Sequence, residues 1–468
     1  MAGRSGNGLK AFGASFGGAV LAPGDDGYDA ARALWNGDID RRPTAIAQCA
    51  TAEHVAAALT YAREQDMEVA VRGGGHSFAG HGVCEDGLMI DLSPMRTVAI
   101  DGSARRARCS GGTTWAELDA AAQAHGLAVP GGVISHTGVA GLTLGGGVGW
   151  LTRRAGLSCD NLLSARVVTA DGRIITASAD EHPDLHWALR GGGGNFGVVT
   201  EFEFALHEVG PLVQLGLFFW GIDQGTEALR FVRNVSDALP RSMGTQLVGL
   251  NAPPAPFVPE QHHFAPGYAF VVVGWGSPEE HAAAIQPIRD TLPPVFELVT
   301  PIPYAELQKM LDESAPWGIH AYEKALYLDD LNDDAVSVVA EHFPRKSSPM
   351  SIMPVFPLGG AYADVPDADT AFGGSRASKW LVNIAAVAPT PDLLAADRAW
   401  VRSYWDALRP YASGSGSYVN FLNDADEDRI RASYGAQKYD RLARIKTDYD
   451  PDNVFHRNAN IKPARVSV

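Results

Sequence analysis

A two-domain α+β architecture is the fold class this sequence predicts, and three observations predict it. The chain has 468 residues, enough for two or three domains. Between about Pro43 and Leu206, strand-like and helix-like signals alternate. From about Gly210 to Ser413 the texture changes to longer strands mixed with acidic amphipathic helices. A hydrophobic content of 46% beside 20% charged residues suits a globular chain with a large core.

In chain order, MAGRSGNGLKAFGASFGGAVLAPGDD reads as small and flexible, without the charged and then apolar regions of a secretory signal. ATAEHVAAALTYAREQ (50–65) is apolar at helical spacing and opens on the cap residue Thr51. MEVAVRG and GLMIDLS are short buried strands, and TTWAELDAAAQAHG is a second helix closed by Gly126. NLLSARVVTADGRIITAS is a hairpin around Ala170-Asp171-Gly172. In the second region QLGLFFWGI, YAFVVVGWG and WLVNIAAVA are alternating strands, and TPDLLAADRAWVRSYWDALRPY is among the helices. The last fifty residues form a compact tail.

Composition excludes several functions. The net charge of -16 disfavours nucleic acid and anionic membrane as partners. No run of ~18 to 20 apolar residues offers a membrane span. Cys49, Cys84, Cys109 and Cys159 form no CxxC pair, as expected of reduced thiols in a cytoplasmic protein. His262-His263 lacks further ligands at metal spacing, and no GxSxG elbow marks a hydrolase.

Three internal glycine clusters stand out: RGGGHS (72–77), PGGVISHTGVAGLTLGGGVGW (130–150) and RGGGGNFG (190–197). No GK[ST] follows any of them, so a P-loop is disfavoured. None sits as the Rossmann fingerprint requires. One cluster alone is usually structural. Three together suggest backbone amides gathered around a pyrophosphate, a dinucleotide site without a Rossmann motif.

VRGGGHSFAGHG, GLAVPGGVISHTGVAGLTLGGGVGWLTRRAGLSCDNLLSARVVTADG, DLHWALRGGGGNFGVVTEFEF and the tail SYVNFLN…YDRLARIKTDYDPDNVFHRNANIKP resemble the berberine-bridge-enzyme-like flavoprotein oxidases. The likeness runs from about residue 40 to 463. It implies the vanillyl-alcohol-oxidase type of fold: an FAD-binding domain of residues 1–207 completed by 414–468, and a substrate-binding domain of 208–413 built as an antiparallel sheet covered by helices. The resemblance implies FAD contacts from Arg72, Gly73, Gly74, Gly75, His76 and Ser77, and from Gly138, Gly141, Leu142, Gly146 and Gly147. Asn161, Val198, Tyr418, Asn420 and Asn458 are implied as further contacts. His76 is the implied covalent anchor to the 8α-methyl of the isoalloxazine. Many relatives add a cysteine link at the place Ile134 occupies here, so a single link is expected. His136, two residues on, either faces the flavin or is a loop residue satisfied by backbone.

The same resemblance implies hydride transfer from an alcohol or amine C–H of a small organic substrate to FAD, with O2 as acceptor and H2O2 as product. A secondary metabolite is one possible substrate, and a monomer or homodimer is expected. A same-fold dehydrogenase and a non-catalytic flavin-binding protein are the alternatives. The base is the open question. The family's tyrosine base falls at Phe421 of Tyr418-Val419-Asn420-Phe421, and phenylalanine takes no proton. Tyr418 and Asn383 are the catalytic candidates, with Tyr322, Tyr327 and Tyr362 behind them. The remaining route has no protein base: an amine arriving as the free base gives up hydride directly.

Overall fold

The computed structural model describes residues 2–414, 416–424 and 426–464. Met1, Ser415, Ala425 and residues 465–468, all within the expected FAD-domain pieces, lie outside them. The first sheet contains β1 (Ala19–Leu21), β2 (Ala45–Gln48), β3 (Val69–Arg72) and β4 (Leu88–Asp91), in the order β1-β2-β4-β3. β4 runs parallel to β2 and β3. Parallel strands need a crossover, and helix Ala52–Glu64 supplies it between β2 and β3. Thr51 caps that helix, accepting a hydrogen bond from His54 N at 3.2 Å. Val55, Ala58, Leu59 and Ala62 bury its apolar stripe.

Next come β5 (Val98–Asp101), β6 (Arg106–Ser110), β7 (Leu127–Ala128), β8 (Leu162–Val168), β9 (Ile174–Ser178) and β10 (Val198–Ala205). Five of them form an antiparallel sheet, β5-β6-β10-β8-β9, while β7 pairs with β11 (His207–Glu208). β8 and β9 are the expected hairpin. Helix Trp115–Gln123 packs beneath, opened by a capping box in which Thr114 N donates to Glu117 at 2.8 Å.

Seven longer strands make the third sheet: β12 (Leu212–Gly221), β13 (Gly244–Asn251), β14 (Pro266–Gly274), β15 (Phe296–Pro303), β16 (His320–Leu328), β17 (Met353–Pro357) and β18 (Trp380–Ala388). Their order is β15-β12-β14-β13-β17-β18-β16, with every neighbour antiparallel. One face packs against the flanking helices through Phe218, Trp220, Phe270, Val382 and Ile384. The other turns toward the glycine-rich half, where Val213, Leu215 and Val271 meet Trp150, and Leu381, Ala325 and Tyr327 meet Val148 and Cys159. Burial on both faces explains a departure from the expected alternation: β18 is buried at all nine positions.

A second departure is at the N-terminus. Ala2–Phe16 is a helix rather than a flexible leader. Its glycines lower helix propensity, but tertiary packing overrides them: Phe12 stacks on Tyr61 at 4.2 Å and Phe16 is buried beside it. The tail returns to the glycine-rich half, where Leu422, Ile430, Leu442 and Ile445 share a core with Trp115, Phe202 and Phe204. Among the described residues, no helix is long and apolar enough to cross a membrane and no acid, His and Cys cluster could hold a metal. All four cysteines are buried and unpaired.

Candidate active site

The loop after β3 is built from backbone. Among the described residues, the amides of Gly74 through Ala79 find no acceptor within the protein, whereas Gly80 N closes a turn onto Ser77 O at 3.0 Å. Ser77 Oγ accepts from His81 N at 3.2 Å and so braces the same turn. Six consecutive unpaired amides form a nest suited to phosphate oxygens. Gly74 serves another purpose: a Cβ there would fall inside the backbone of Gly138, so the first and second clusters meet main chain to main chain. Gly75 takes a left-handed φ of 71°, and Arg72 folds beneath it onto buried Asp91. Gly73 lies against Gly111 O.

His76 follows the nest. Its ring stacks on Trp35 at 5.2 Å and meets the edge of Trp317 at 5.7 Å. Its Nε2 lies 2.6 Å from Nδ1 of His136. Burial, and then the neighbouring imidazole, push the His76 pKa down to about 3. His76 is therefore neutral at ordinary pH, as a nucleophilic imidazole must be. His136 thus faces His76, the expected anchor.

Among the other expected FAD contacts, Gly141 has no atom within 4 Å of a built Cβ, and the same holds for Gly194 of the third cluster. Both border open space. Leu142 lies half-buried beside Gly141. Gly146 and Gly147 instead abut protein: a Cβ would meet Phe372 and Tyr418 at the first and Ser158 at the second. The tail clamps the third cluster, with Lys446 Nζ donating to Asn195 O at 2.7 Å and Asn195 Oδ1 accepting from Ile461 N at 2.9 Å. Asn458 presents a buried Oδ1 with no partner, as Tyr434 presents its hydroxyl. Free amides, glycines on open space and orphaned buried polar atoms fit a phosphate-bearing cofactor such as FAD.

At two expected contacts the side chains are committed elsewhere. Asn161 donates to Ala155 O and Leu157 O and accepts from His207 at 2.6 Å. Val198 is buried in the core of the first sheet. Only their main chains remain for a ligand. Asn420 donates to Leu142 O at 3.0 Å and to Tyr418 at 2.8 Å, so its amide ties the tail to the second cluster.

Tyr418 is not placed to act as base. It is enclosed by Phe372 and Phe421, and its hydroxyl accepts from Gly147 N at 2.7 Å as well as from Asn420. Burial pushes its pKa up despite those donors. Tyr322 and Tyr362 are committed to hydrogen bonds within the protein, whereas the buried Tyr327 hydroxyl has no partner among the described residues. Tyr322 binds Asp424 on the helix-covered side, and Tyr362 donates to Ser375 O at 2.8 Å. Tyr327 is wholly buried beside Tyr418, with its pKa raised by burial.

Asn383 does face the glycine-rich half, and it brings a partner that the sequence reading missed. Its Nδ2 donates to Glu323 Oε2 at 2.8 Å. Glu323 lies on β16 between Ala321 and Ala325, which pack into the two inner-face clusters. Among the described residues, no cation pairs with it. Burial raises its pKa to about 8, the Asn383 hydrogen bond opposing in part. Glu323 Oε1 and Asn383 Oδ1 are both buried without partners. A titratable acid with a spare oxygen on this face is suited to exchange a proton with a ligand. One signal existed in the sequence: in HAYEKALYL, Glu323 shares its strand face with small alanines.

Comparisons with known proteins bear on the family and the fold. A family model described as FAD binding domain matches residues 43–178, and one described as berberine and berberine like matches residues 417–462. (R)-6-hydroxynicotine oxidase of Paenarthrobacter nicotinovorans is 31% identical over 459 residues, spanning 95% of this chain and 97% of that one. The crystal structure of 6-hydroxy-D-nicotine oxidase from Arthrobacter nicotinovorans superposes with a TM-score of 0.85 at 28% identity, covering 96% and 99% of the two chains. Acremonium strictum glucooligosaccharide oxidase, described with a 6-S-cysteinyl, 8α-N1-histidyl FAD, gives a TM-score of 0.85 at 23% identity over 98% and 100%. At that identity the likeness shows the fold alone. The α+β fold is the vanillyl-alcohol-oxidase type that the glycine motifs implied.

Proposed function

Because this chain belongs to the berberine and berberine-like family of FAD-linked oxidoreductases, we propose that it oxidises a C–H bond beside an alcohol or amine of a small organic molecule, with Glu323 as the proton acceptor. FAD, when bound, supplies the two-electron acceptor and returns to its oxidised form with O2, giving H2O2. The protein holds FAD through one covalent bond at His76, a reading supported by its neutral imidazole and by Ile134 at the second anchor position. The FAD domain comprises residues 1–207 and 414–468, and the substrate domain comprises 208–413. Cores that draw the tail together with residues before 207 support this division.

The observation that carries the mechanism is the Glu323–Asn383 pair on the inner face of the sheet. Asn383 fixes one carboxyl oxygen, and the other is left for the substrate O–H or N–H. Loss of that proton drives electrons toward the adjacent C–H bond, which weakens it. Enclosure excludes water, which would otherwise solvate the carboxylate and lower its basicity. The non-catalytic alternative rested on a missing base, and Glu323 removes that support. A panel of amines, sugars and aromatic alcohols assayed for peroxide release tests the reading. Flavin bleaching without oxygen consumption would favour the dehydrogenase. No bleaching by any class would return the non-catalytic protein.

A further inference from the structure

The 2.6 Å contact between the two imidazoles has no part in the oxidation step proposed above. We propose that His136 is the base through which the protein attaches its own cofactor, taking the proton that His76 must lose. This rests on the histidyl link proposed above.

His136 Nδ1 faces His76 Nε2. The backbone carbonyls of Asp312 and Ala315 and the Asp312 carboxylate also face the His136 ring, and each favours a proton on it against the opposing effect of burial. Carbonyls only accept, so the tautomer that this assignment uses carries the His136 proton on Nε2 and leaves Nδ1 with its lone pair. Nδ1 of His136 is then the acceptor and Nε2 of His76 the donor. That leaves the lone pair of His76 Nδ1 as the nucleophile. The loop is held in place by Asp312, which accepts from Ser135 N at 2.8 Å and from Ser135 Oγ at 2.6 Å. Nucleophile, base and orienting group are thus arranged in series.

The step forms a bond from His76 Nδ1 to the 8α carbon and breaks one C–H bond there. The imidazole proton passes from His76 Nε2 to His136 Nδ1, and the methyl proton leaves to solvent. The electron pair of the C–H bond stays in the ring system, which is reduced by two electrons, and dioxygen then removes them as H2O2. Without a base the attacking imidazole would keep both its proton and a positive charge in a buried site, which is costly.

The test follows covalent incorporation into full-length apoprotein after FAD is added, reading acid-precipitable flavin against total bound flavin, with no turnover assay. His136→Ala and His136→Gln should bind FAD but attach it ~10² to 10⁴ times more slowly, as expected for loss of a general base. Imidazole in the buffer should restore the rate in His136→Ala, which a merely structural defect would not allow. Attachment at the wild-type rate in either variant overturns the proposal, and so does a slow His136→Ala that imidazole leaves unchanged. Failure of the underlying reading looks different: wild-type protein itself would carry no bond at His76 by peptide mass.

Discussion

The glycine-rich half and the seven-stranded sheet contribute to the same site in opposite ways. The first works through what it lacks: side chains are absent at Gly74 and Gly138 so that two loops can touch, and absent at Gly141 and Gly194 where space is open. The second works through what it adds, a carboxyl held by Asn383 among apolar neighbours. A backbone-built surface tolerates almost any side chain that stays out of its way, whereas the sheet depends on one functional group. Cofactor binding and proton transfer should therefore fail separately.

Breaking the sheet side should give the largest effect. Glu323→Gln keeps the hydrogen-bonding shape but cannot take a proton. Flavin reduction should slow by ~10² to 10⁴ with FAD content unchanged. Reduction at the wild-type rate would remove Glu323 from the mechanism and leave the free-amine route.

The pH profile sharpens the same point. The active form of Glu323 is the carboxylate, and its pKa lies near 8. Anaerobic reduction should rise with pH and level off above about 8, and this limb should vanish in Glu323→Gln. Stability should run the other way. The folded carboxyl titrates near 8 against an ordinary 4.5, so between those values the folded chain holds a proton that the unfolded chain has released. Stability therefore falls as pH rises through that window. Melting temperatures measured from pH 5 to 9 should decline less in Glu323→Gln.

On the cofactor side, glycines of different surroundings should behave differently. Gly74→Ala forces a Cβ into the Gly138 backbone, and should lower the melting temperature of apoprotein and holoprotein alike. Gly194→Ala has open space, so the apoprotein should melt as wild type while FAD retention weakens. Equal melting of both apoproteins would mean the clusters do not pack as described.

The smallest effect on chemistry belongs to Tyr418→Phe. The change removes the acceptor shared by Gly147 N and the Asn420 amide, at a cost of about 1–3 kcal/mol for orphaned buried donors. Flavin reduction should stay within a few-fold of wild type. A large loss of rate without a loss of stability would restore Tyr418 to the proton path.

In the cofactor half, the glycine loops and the hairpin were legible in the sequence. Glycines, a turn histidine and a hairpin act through local backbone conformation, and local conformation is written in consecutive residues. The missing tyrosine at Phe421 was equally legible, because a phenylalanine has no proton to exchange wherever it lies. Tertiary structure decided the rest. Only packing on Tyr61 shows that the glycine-bearing N-terminus is helical. Only strand register places Glu323 beside Asn383, on neighbouring strands and 60 positions apart in the chain. Only loop contact sets His136 against His76. The physical reason is common to all three. A carboxyl or imidazole owes its acidity, its partner and its reach to burial and to neighbours distant in sequence, and those exist only once the chain has folded.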